Sequence, residues 1–280
     1  MEIKDLKNMA AQIRRDIVRM VYNAQSGHPG GSLGCADFFT ALYFEVMDRK
    51  KVFDMNGKDE DIFFLSNGHI SPVWYSTLAR AGYFPLEELN TFRKINSRLQ
   101  GHPATAEHLP GIRIASGSLG QGMSVAIGAA TAKKLNKDNH IVFSLHGDGE
   151  LDEGQNWEAI MYAAMHKVDN LISTVDRNNQ QIDGTTDSVM SLAKLGQKFL
   201  AFNWEVIELE DGNDMDQILA AFAKAKSFVG KGKPIVIIMH SVMGKGVDFM
   251  ENNHEWHGTA PNKEQFERAM AQLPETLGDY

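Results

Sequence analysis

The chain has 280 residues, 43% of them hydrophobic, which is enough to bury a large core in one α/β domain or in two small ones. Its formal net charge of −8 argues against nucleic acid and membrane surfaces as partners, because both carry negative charge themselves. Cys35 is the only cysteine, so an internal disulfide is excluded. The N-terminal stretch is charged throughout, and no apolar run approaches the length of a secretory signal core or a membrane span. We therefore predict a soluble cytoplasmic protein.

The first third of the sequence predicts helices with one strand between them. Apolar residues recur at helical spacing over residues 3–25, with lysine and arginine on the opposite face, which is typical of an amphipathic helix on a core. The glycine- and proline-rich stretch 26–31 cannot continue that helix. Further elements expected here are helices at 35–47, 72–81 and 86–93, a short strand at 61–65, and a loop at 96–118.

The rest of the sequence alternates between apolar runs and helical patterns. The stretch 119–135 is rich in glycine, alanine and serine, which favours close helix packing either inside the domain or at a subunit interface. Alternating strands and helices are typical of an α/β protein, so we predict one domain over residues 1–280, with a parallel sheet covered by helices on both faces. The expected strands are 141–145, 171–175, 204–209 and 235–239, and the expected helices are 154–165, 214–228 and 262–272.

Polar residues follow two of these strands, one βαβ unit apart. Gly147-Asp148-Gly149 follows the run at 141–145, and Asn178 follows the run at 171–175. In open α/β sheets, ligands bind at this edge. Carboxylate and amide oxygens suit Mg²⁺ or Ca²⁺, and Mg²⁺ completes its coordination with water and phosphate. Because the glycines allow close approach of a phosphate, the pattern predicts a metal-bridged diphosphate.

The same residues resemble a known motif. A GDG triplet followed about thirty residues later by an asparagine is similar to the thiamine diphosphate motif, and GDGELDEGQNWEA…DRNNQQIDG resembles the transketolase family in particular. The resemblance runs from about residue 14 to residue 260 and covers only the first domain of a transketolase. It implies the N-terminal subunit of a split transketolase with a thiamine diphosphate-binding fold. Such a protein moves a two-carbon ketol unit from a ketose phosphate to an aldose phosphate, using thiamine diphosphate and Mg²⁺, with Ca²⁺ as a possible substitute.

The resemblance implies roles for individual residues. The metal ligands would be Asp148, Asn178 and the main-chain carbonyl of Gln180, and the glycines beside Asp148 would contact the diphosphate. Ser118 and Leu119 lie in a segment that packs beside the cofactor rings; single-chain members commonly carry proline at the serine position. The family pattern further implies an acid at the subunit interface near the cofactor. That acid is Glu153, which also fits a helix N-terminus.

Four histidines stand in short loop motifs. They are His28 in SGHPGG, His69 in SNGH, His102 in GHPA and His257 in WHGTAP. An imidazole can bind phosphate or a sugar hydroxyl, or move a proton near neutral pH; any one of them alone would also fit a solvated loop residue. The resemblance implies that His69 and His257 lie near the diphosphate and that His28, His102 and His257 surround the substrate hydroxyls.

The resemblance also implies a partner. A C-terminal transketolase subunit would supply the pyrimidine-binding domain, two copies of each chain would assemble, and this chain alone would be inert. Three alternatives stay open. One is a split transketolase for unusual sugar phosphates or sulfosugars. Another is a deoxyxylulose phosphate synthase-like subunit, against which SGHPG and GHPA argue. The third is a non-catalytic thiamine diphosphate-binding regulator, which would not need the substrate histidines.

Overall fold

A five-stranded parallel sheet runs through the centre of the protein. The computed structural model describes residues 1–50 and 52–280. In this described part the strands are β1 (Ile62–Leu65), β2 (Val142–Gly147), β3 (Leu171–Asp176), β4 (Gln180–Gln181), β5 (Gly184–Thr185), β6 (Glu205–Leu209) and β7 (Ile235–Met239). The sheet has the order β1-β2-β3-β7-β6, all parallel, and β4 and β5 form a separate antiparallel pair. The last strand in sequence is therefore an inner strand of the sheet.

Helices cover both faces of this sheet. They are α1 (Ile3–Ala24), α2 (Pro29–Gly34), α3 (Ala36–Ala41), α4 (Ser71–Arg80), α5 (Gly122–Leu135), α6 (Gly154–Met165), α7 (Thr186–Val189), α8 (Leu195–Ala201), α9 (Met215–Phe228) and α10 (Lys263–Gln272). On one face Phe143 of β2 contacts Phe222 of α9, with ring centroids 5.9 Å apart. Side chains alternate along a strand, and on the other face Ser173 of β3 places its hydroxyl 3.5 Å from Met123 Sδ of α5. The predicted α/β sheet with two helical layers is confirmed. Over residues 1–50 and 52–280, no helix combines the length and the apolarity that a membrane crossing requires.

Two helical predictions near the N-terminus need correction. The stretch 26–31 ends α1 as expected, but Pro29 also begins α2. Proline suits the first turn of a helix, because its fixed φ is helical and its missing N–H has no partner there. The single helix predicted over 35–47 is instead α3 followed by a wider π-helical turn at Leu42–Val46, which closes with a hydrogen bond from the Met47 N–H to the Leu42 carbonyl, five residues back.

Two other helices have different boundaries from those predicted because the backbone leaves the helical conformation at one end. The segment 86–93 is a 3-10 helix at Leu86–Thr91, which ends because Phe92 has an extended ψ of 126°, and the next residue, Arg93, has a φ of 57°. The helix expected from residue 119 begins only at Gly122, because Gly120 has a φ of 86°. A right-handed helix cannot pass through such a residue.

Helix α2 packs directly against the loop that follows β7. A Cβ at Gly30 would lie 2.9 Å from the main-chain oxygen of Trp256, and a Cβ at Gly34 would lie 2.9 Å from that of Val242. Real Cβ atoms do not approach backbone this closely, so only glycine permits the contact. The packing brings His28, at the start of α2, to the C-terminal loop.

Candidate active site

A cavity of about 270 Å³ lies at the carboxyl edge of β1, β2 and β3. Because these strands are parallel, the loops that follow them meet at one edge of the sheet. The start of α2 and the loop after β7 complete the walls. The sequence-predicted residues that line the cavity are His28, His69, Leu119, Gly147, Asp148, Gly149, Asn178, Gln180 and His257.

Asp148 is buried at the end of β2, and backbone N–H groups hold its carboxylate. Gly149 N donates to Oδ1 at 2.8 Å and Asn179 N donates to Oδ2 at 2.7 Å. Burial, together with the nearby charge of Asp176, raises the pKa of Asp148 to about 7. A cation beside this carboxylate would favour its charged form. Asp148 is therefore fixed in position by backbone N–H groups, and the charge of Arg177 offsets its burial only in small part.

Asn178 lies across the cavity edge with its amide orientation set by a buried carboxylate. Its Nδ2 donates to Asp176 Oδ2 at 2.9 Å, and its Oδ1 accepts from Gln180 N at 2.9 Å. Ser241 donates a further hydrogen bond to Asp176. The amide oxygen is thus directed away from Asp176, and Asn178 lines the same cavity as Asp148, as their spacing predicts.

The donor set at this edge fits a hard cation bridged to a phosphate. Asp148, Asn178 and the main chain at Gln180 offer oxygen atoms, which Mg²⁺ and Ca²⁺ prefer. Among the described residues, no group of three or more histidine, cysteine, aspartate or glutamate side chains is placed to hold a metal ion. A cation here would therefore need further ligands from a phosphate or water.

Unpartnered polar atoms in the cavity wall indicate a polar ligand. His28 Nδ1, Asn67 Oδ1 and Gln181 Nε2 are buried and have no hydrogen-bond partner in the described structure, although buried polar groups are nearly always paired. A Cβ at Gly147 would meet nothing closer than 3.8 Å. The glycine is therefore not required by packing, and it leaves room beside Asp148. These features fit a diphosphate.

Three histidines from distant parts of the chain form a tight cluster, with a fourth at its edge. The ring centroids of His28 and His69 are 5.0 Å apart, those of His69 and His257 5.0 Å, and those of His28 and His257 5.5 Å. His102 lies 6.2 Å from His28. Burial, aided by the charges of His257, Arg93 and His102, lowers the pKa of His28 to about 4, and burial lowers the pKa of His69 well below its usual value. Neutral imidazoles can each donate and accept a hydrogen bond, which suits sugar hydroxyls.

Three predicted site residues lie outside the cavity wall. His102, Ser118 and Glu153 are exposed. His102 packs against the loop before α5, since a Cβ at Gly117 would lie 2.4 Å from its Cδ2. Glu153 lies under the same loop, with its Cβ 2.9 Å from the Cβ position of Gly120. They form a rim that another chain or a long substrate could reach.

Sequence reasoning misses two buried carboxylates in the cavity wall, Glu150 and Asp176. Glu150 accepts hydrogen bonds from Gly120 N at 2.9 Å, from Gly147 N at 3.0 Å and from the Ser66 hydroxyl. It thereby fixes the loop before α5 against the ends of β1 and β2. The sequence contained a signal for both carboxylates. Glu150 directly follows the GDG triplet, and Asp176 ends a strand two residues before the predicted amide ligand Asn178.

Comparison with known proteins agrees with this geometry. The family model for the transketolase thiamine diphosphate binding domain matches residues 6–276. The chain is 38% identical over 279 residues to an apulose-4-phosphate transketolase subunit of Phocaeicola vulgatus, covering 99% of this chain and 96% of that protein. It is 36% identical over 269 residues to the 6-deoxy-6-sulfo-D-fructose transketolase subunit SqwG of a Clostridium species, covering 96% of each.

A solved structure of a longer transketolase is also similar. The transketolase of Leishmania mexicana superimposes with a TM-score of 0.89 at 31% identity, over 96% of this chain and 41% of that one. The present chain thus spans less than half the length of that enzyme but nearly the full length of the subunit relatives. With the parallel sheet, the cavity and the matched family model together, the chain belongs to the transketolase family.

Proposed function

We propose that this chain is the diphosphate- and metal-binding subunit of a two-chain transketolase, which transfers a two-carbon ketol unit between sugar phosphates. The proposal is supported by a cavity whose lining suits a diphosphate, on a chain that covers 96% of the Phocaeicola vulgatus subunit but only 41% of a single-chain transketolase. When bound, thiamine diphosphate supplies the carbon nucleophile that accepts and releases the ketol unit. A C-terminal subunit would cover its pyrimidine ring.

The residues divide into metal, cofactor and substrate groups. Asp148, Asn178 and the Gln180 carbonyl would bind Mg²⁺, with Ca²⁺ as a possible substitute, because all three are oxygen donors at one edge. Gly147, Gly149, His69 and His257 would hold the diphosphate, and Leu119 and Ser118 would lie beside the rings. His28, His102 and His257 would bind substrate hydroxyls, and Glu153 would face the partner. These assignments rest on the cavity lining and on the motif resemblance.

The surface of α5 and α6 offers a place for the partner subunit. Leu135 is 79% exposed and Met165 80% exposed, and Tyr162 between them is half-exposed. Leu135 and Tyr162 border a groove of about 510 Å³ lined also by Ile127 and Gly128. Large exposed apolar patches on soluble proteins usually mark interfaces. We expect this face to bind the C-terminal subunit in an assembly of two copies of each chain.

Reconstitution tests the proposal. The purified chain with excess thiamine diphosphate and Mg²⁺ should show negligible ketol transfer, and activity should rise and saturate as a C-terminal transketolase subunit from the same organism is titrated in. Leu135→Glu should shift that titration to higher partner concentration, whereas Leu200→Glu, at an exposed residue outside both the groove and the cavity, should not. Full turnover by the isolated chain would contradict the proposal.

A specialised substrate is the second candidate. The relatives named above act, by their names, on apulose 4-phosphate and on a sulfonated fructose, which favours an unusual sugar over the common pentose phosphates. Competition among these donors and xylulose 5-phosphate, compared by kcat/KM, distinguishes the two cases.

A further inference from the structure

Glu150 joins three separate segments of the cavity wall through one buried carboxylate. It is 2% exposed, lines the cavity and directly follows Gly149. Its Oε1 accepts hydrogen bonds from Gly120 N at 2.9 Å and from the Ser66 hydroxyl, and its Oε2 accepts one from Gly147 N at 3.0 Å. Ser66 directly follows β1, Gly147 ends β2, and Gly120 lies in the loop before α5. The carboxylate therefore links this loop to the ends of two strands.

The loop that Glu150 binds carries Leu119, the residue before Gly120. Leu119 lines the cavity, and in the proposed function it lies beside the cofactor rings. Gly122 N, where α5 begins, donates to the Ser66 hydroxyl at 3.1 Å, and a Cβ at Gly122 would lie 2.7 Å from Ser66 Cα. The hydroxyl itself donates to Glu150. Two main-chain N–H groups near Leu119 are therefore held, directly or through Ser66, by the same carboxylate.

The turn that Glu150 binds carries Asp148. Gly147 N donates to Glu150, whereas the Asp148 carboxylate accepts hydrogen bonds of its own, from Gly149 N at 2.8 Å and from Asn179 N at 2.7 Å. The hydrogen bond between Gly147 and Glu150 is therefore not needed to hold the Asp148 carboxylate. It adds a fixed distance between this turn and the loop before α5.

The three donors explain why a carboxylate occupies this position. A glutamine has one acceptor oxygen, so its NH2 group would face either Gly120 N–H or Gly147 N–H, and that N–H would lose its partner. In both orientations one of the two main-chain hydrogen bonds is broken, while the side chain keeps its size. Glu150→Gln therefore changes the link between loop and turn with little change in volume.

We propose that Glu150 is a positioning residue that fixes the spacing between the two ends of the cofactor site, with Leu119 at the ring end and Asp148 at the diphosphate end. The inference rests on the proposed function, because thiamine diphosphate is the ligand that must reach both ends at once. Such a ligand gains affinity when its two binding regions are already held at the matching separation. A free diphosphate needs only one of these regions.

Calorimetry on the reconstituted enzyme, in Mg²⁺ and without substrate, compares thiamine diphosphate with inorganic pyrophosphate. Glu150→Gln should weaken binding of thiamine diphosphate about tenfold or more and leave the affinity for pyrophosphate as in wild type. Ser66→Ala, which removes one donor and keeps the carboxylate, should show the same selectivity with a smaller loss. Glu60→Gln is the matched control and should bind both ligands like wild type, because Glu60 is also 2% exposed and accepts a main-chain hydrogen bond but lies outside the cavity.

A double-mutant cycle with Leu119→Ala tests whether Glu150 acts through the loop. Leu119→Ala alone should weaken thiamine diphosphate binding, and adding Glu150→Gln should cost little further affinity, because the ring contact is already lost. Fully additive losses would overturn the inference, and so would an equal loss for both ligands or an unchanged affinity for thiamine diphosphate in Glu150→Gln. Thermal unfolding without ligand checks that each variant folds, and if Glu150→Gln does not fold, the selectivity of Ser66→Ala decides.

The same measurements separate this inference from the proposed function. Thiamine diphosphate binding that depends on Glu150, with no ketol transfer by the wild-type pair of chains, would remove the proposed function and keep the positioning role. Ketol transfer by wild type, with thiamine diphosphate affinity unchanged in Glu150→Gln and Ser66→Ala, would keep the proposed function and overturn the positioning role.

Discussion

The half-buried histidine cluster makes the stability of this chain depend on pH in a predictable direction. His28 has its pKa lowered from 6.5 to about 4 in the folded protein, mainly by burial. Between these two values the unfolded state binds more protons than the folded state, so the free energy of unfolding falls as the pH falls through that window. Replacing His28 with asparagine removes this titration and keeps a polar side chain.

The size of the effect follows from the shift. From pH 7 to pH 5, a histidine with these two pKa values lowers the free energy of unfolding by about 2 kcal/mol. We therefore expect the free energy of unfolding of wild type to fall by about 2 kcal/mol more than that of His28→Asn over this interval. This difference includes any change that the substitution causes in the pKa values of the neighbouring histidines. The comparison between variants cancels the titration of carboxylates common to both.

Urea unfolding of the cofactor-free chain at several pH values measures this difference, with circular dichroism and tryptophan fluorescence recorded together to check two-state behaviour. The exposed His108 lies outside the cluster, and its asparagine variant is the control. Parallel loss of stability in wild type and His28→Asn between pH 7 and pH 5 would refute the assignment of His28 as a half-buried imidazole that is neutral in the folded protein.

Three other predictions concern the site. Asp148→Ala should abolish Mg²⁺-dependent thiamine diphosphate binding measured by calorimetry, since a diphosphate has no cation to hold it, and unchanged affinity would contradict the metal assignment. Asp176→Asn should weaken metal-dependent binding about ten- to a hundredfold by releasing the Asn178 amide; wild-type affinity in this variant would show that the carboxylate does not orient the ligand. In the reconstituted enzyme, His69→Ala should weaken cofactor binding more than it lowers turnover at saturating cofactor. His102→Ala should mainly raise the KM for sugar. The reverse pattern would show that the two histidines have each other's roles.

The parts of the fold that depend on local pattern could be predicted from the sequence. Apolar runs and helical spacing identified the parallel strands and the major helices, because burial on both faces of a sheet leaves a continuous apolar signal. The convergence of Asp148 and Asn178 could also be foreseen, since the ends of parallel strands share one edge. Errors arose where a single backbone conformation decided the outcome, as at Gly120 and Phe92.

The parts that depend on contacts between distant segments could not be derived from periodicity. His28 and His257 are close only because Gly30 and Gly34 let α2 approach the loop after β7, a contact between residues more than 200 positions apart. The motif resemblance predicted that these histidines share one site. It could not predict how far they are buried, and therefore it could not predict that their pKa values are lowered. The hydrogen-bond partners Ser66 and Gly120 of Glu150 could not be predicted either, because they are also distant in sequence.

The place of β7 inside the sheet has a consequence for synthesis on the ribosome. β6 is made before β7 but pairs only with it, and one edge of β3 stays open until the same strand is inserted. The nascent chain therefore carries an unpaired strand and an open sheet edge until residue 239 has left the exit tunnel, the condition under which aggregation competes with folding. The wall of the cavity formed by His257 is completed later still. A chain whose synthesis ends before this point would have an unfinished sheet and no cofactor pocket. Such a chain would be bound by chaperones or degraded by proteases and would not pair with the second subunit.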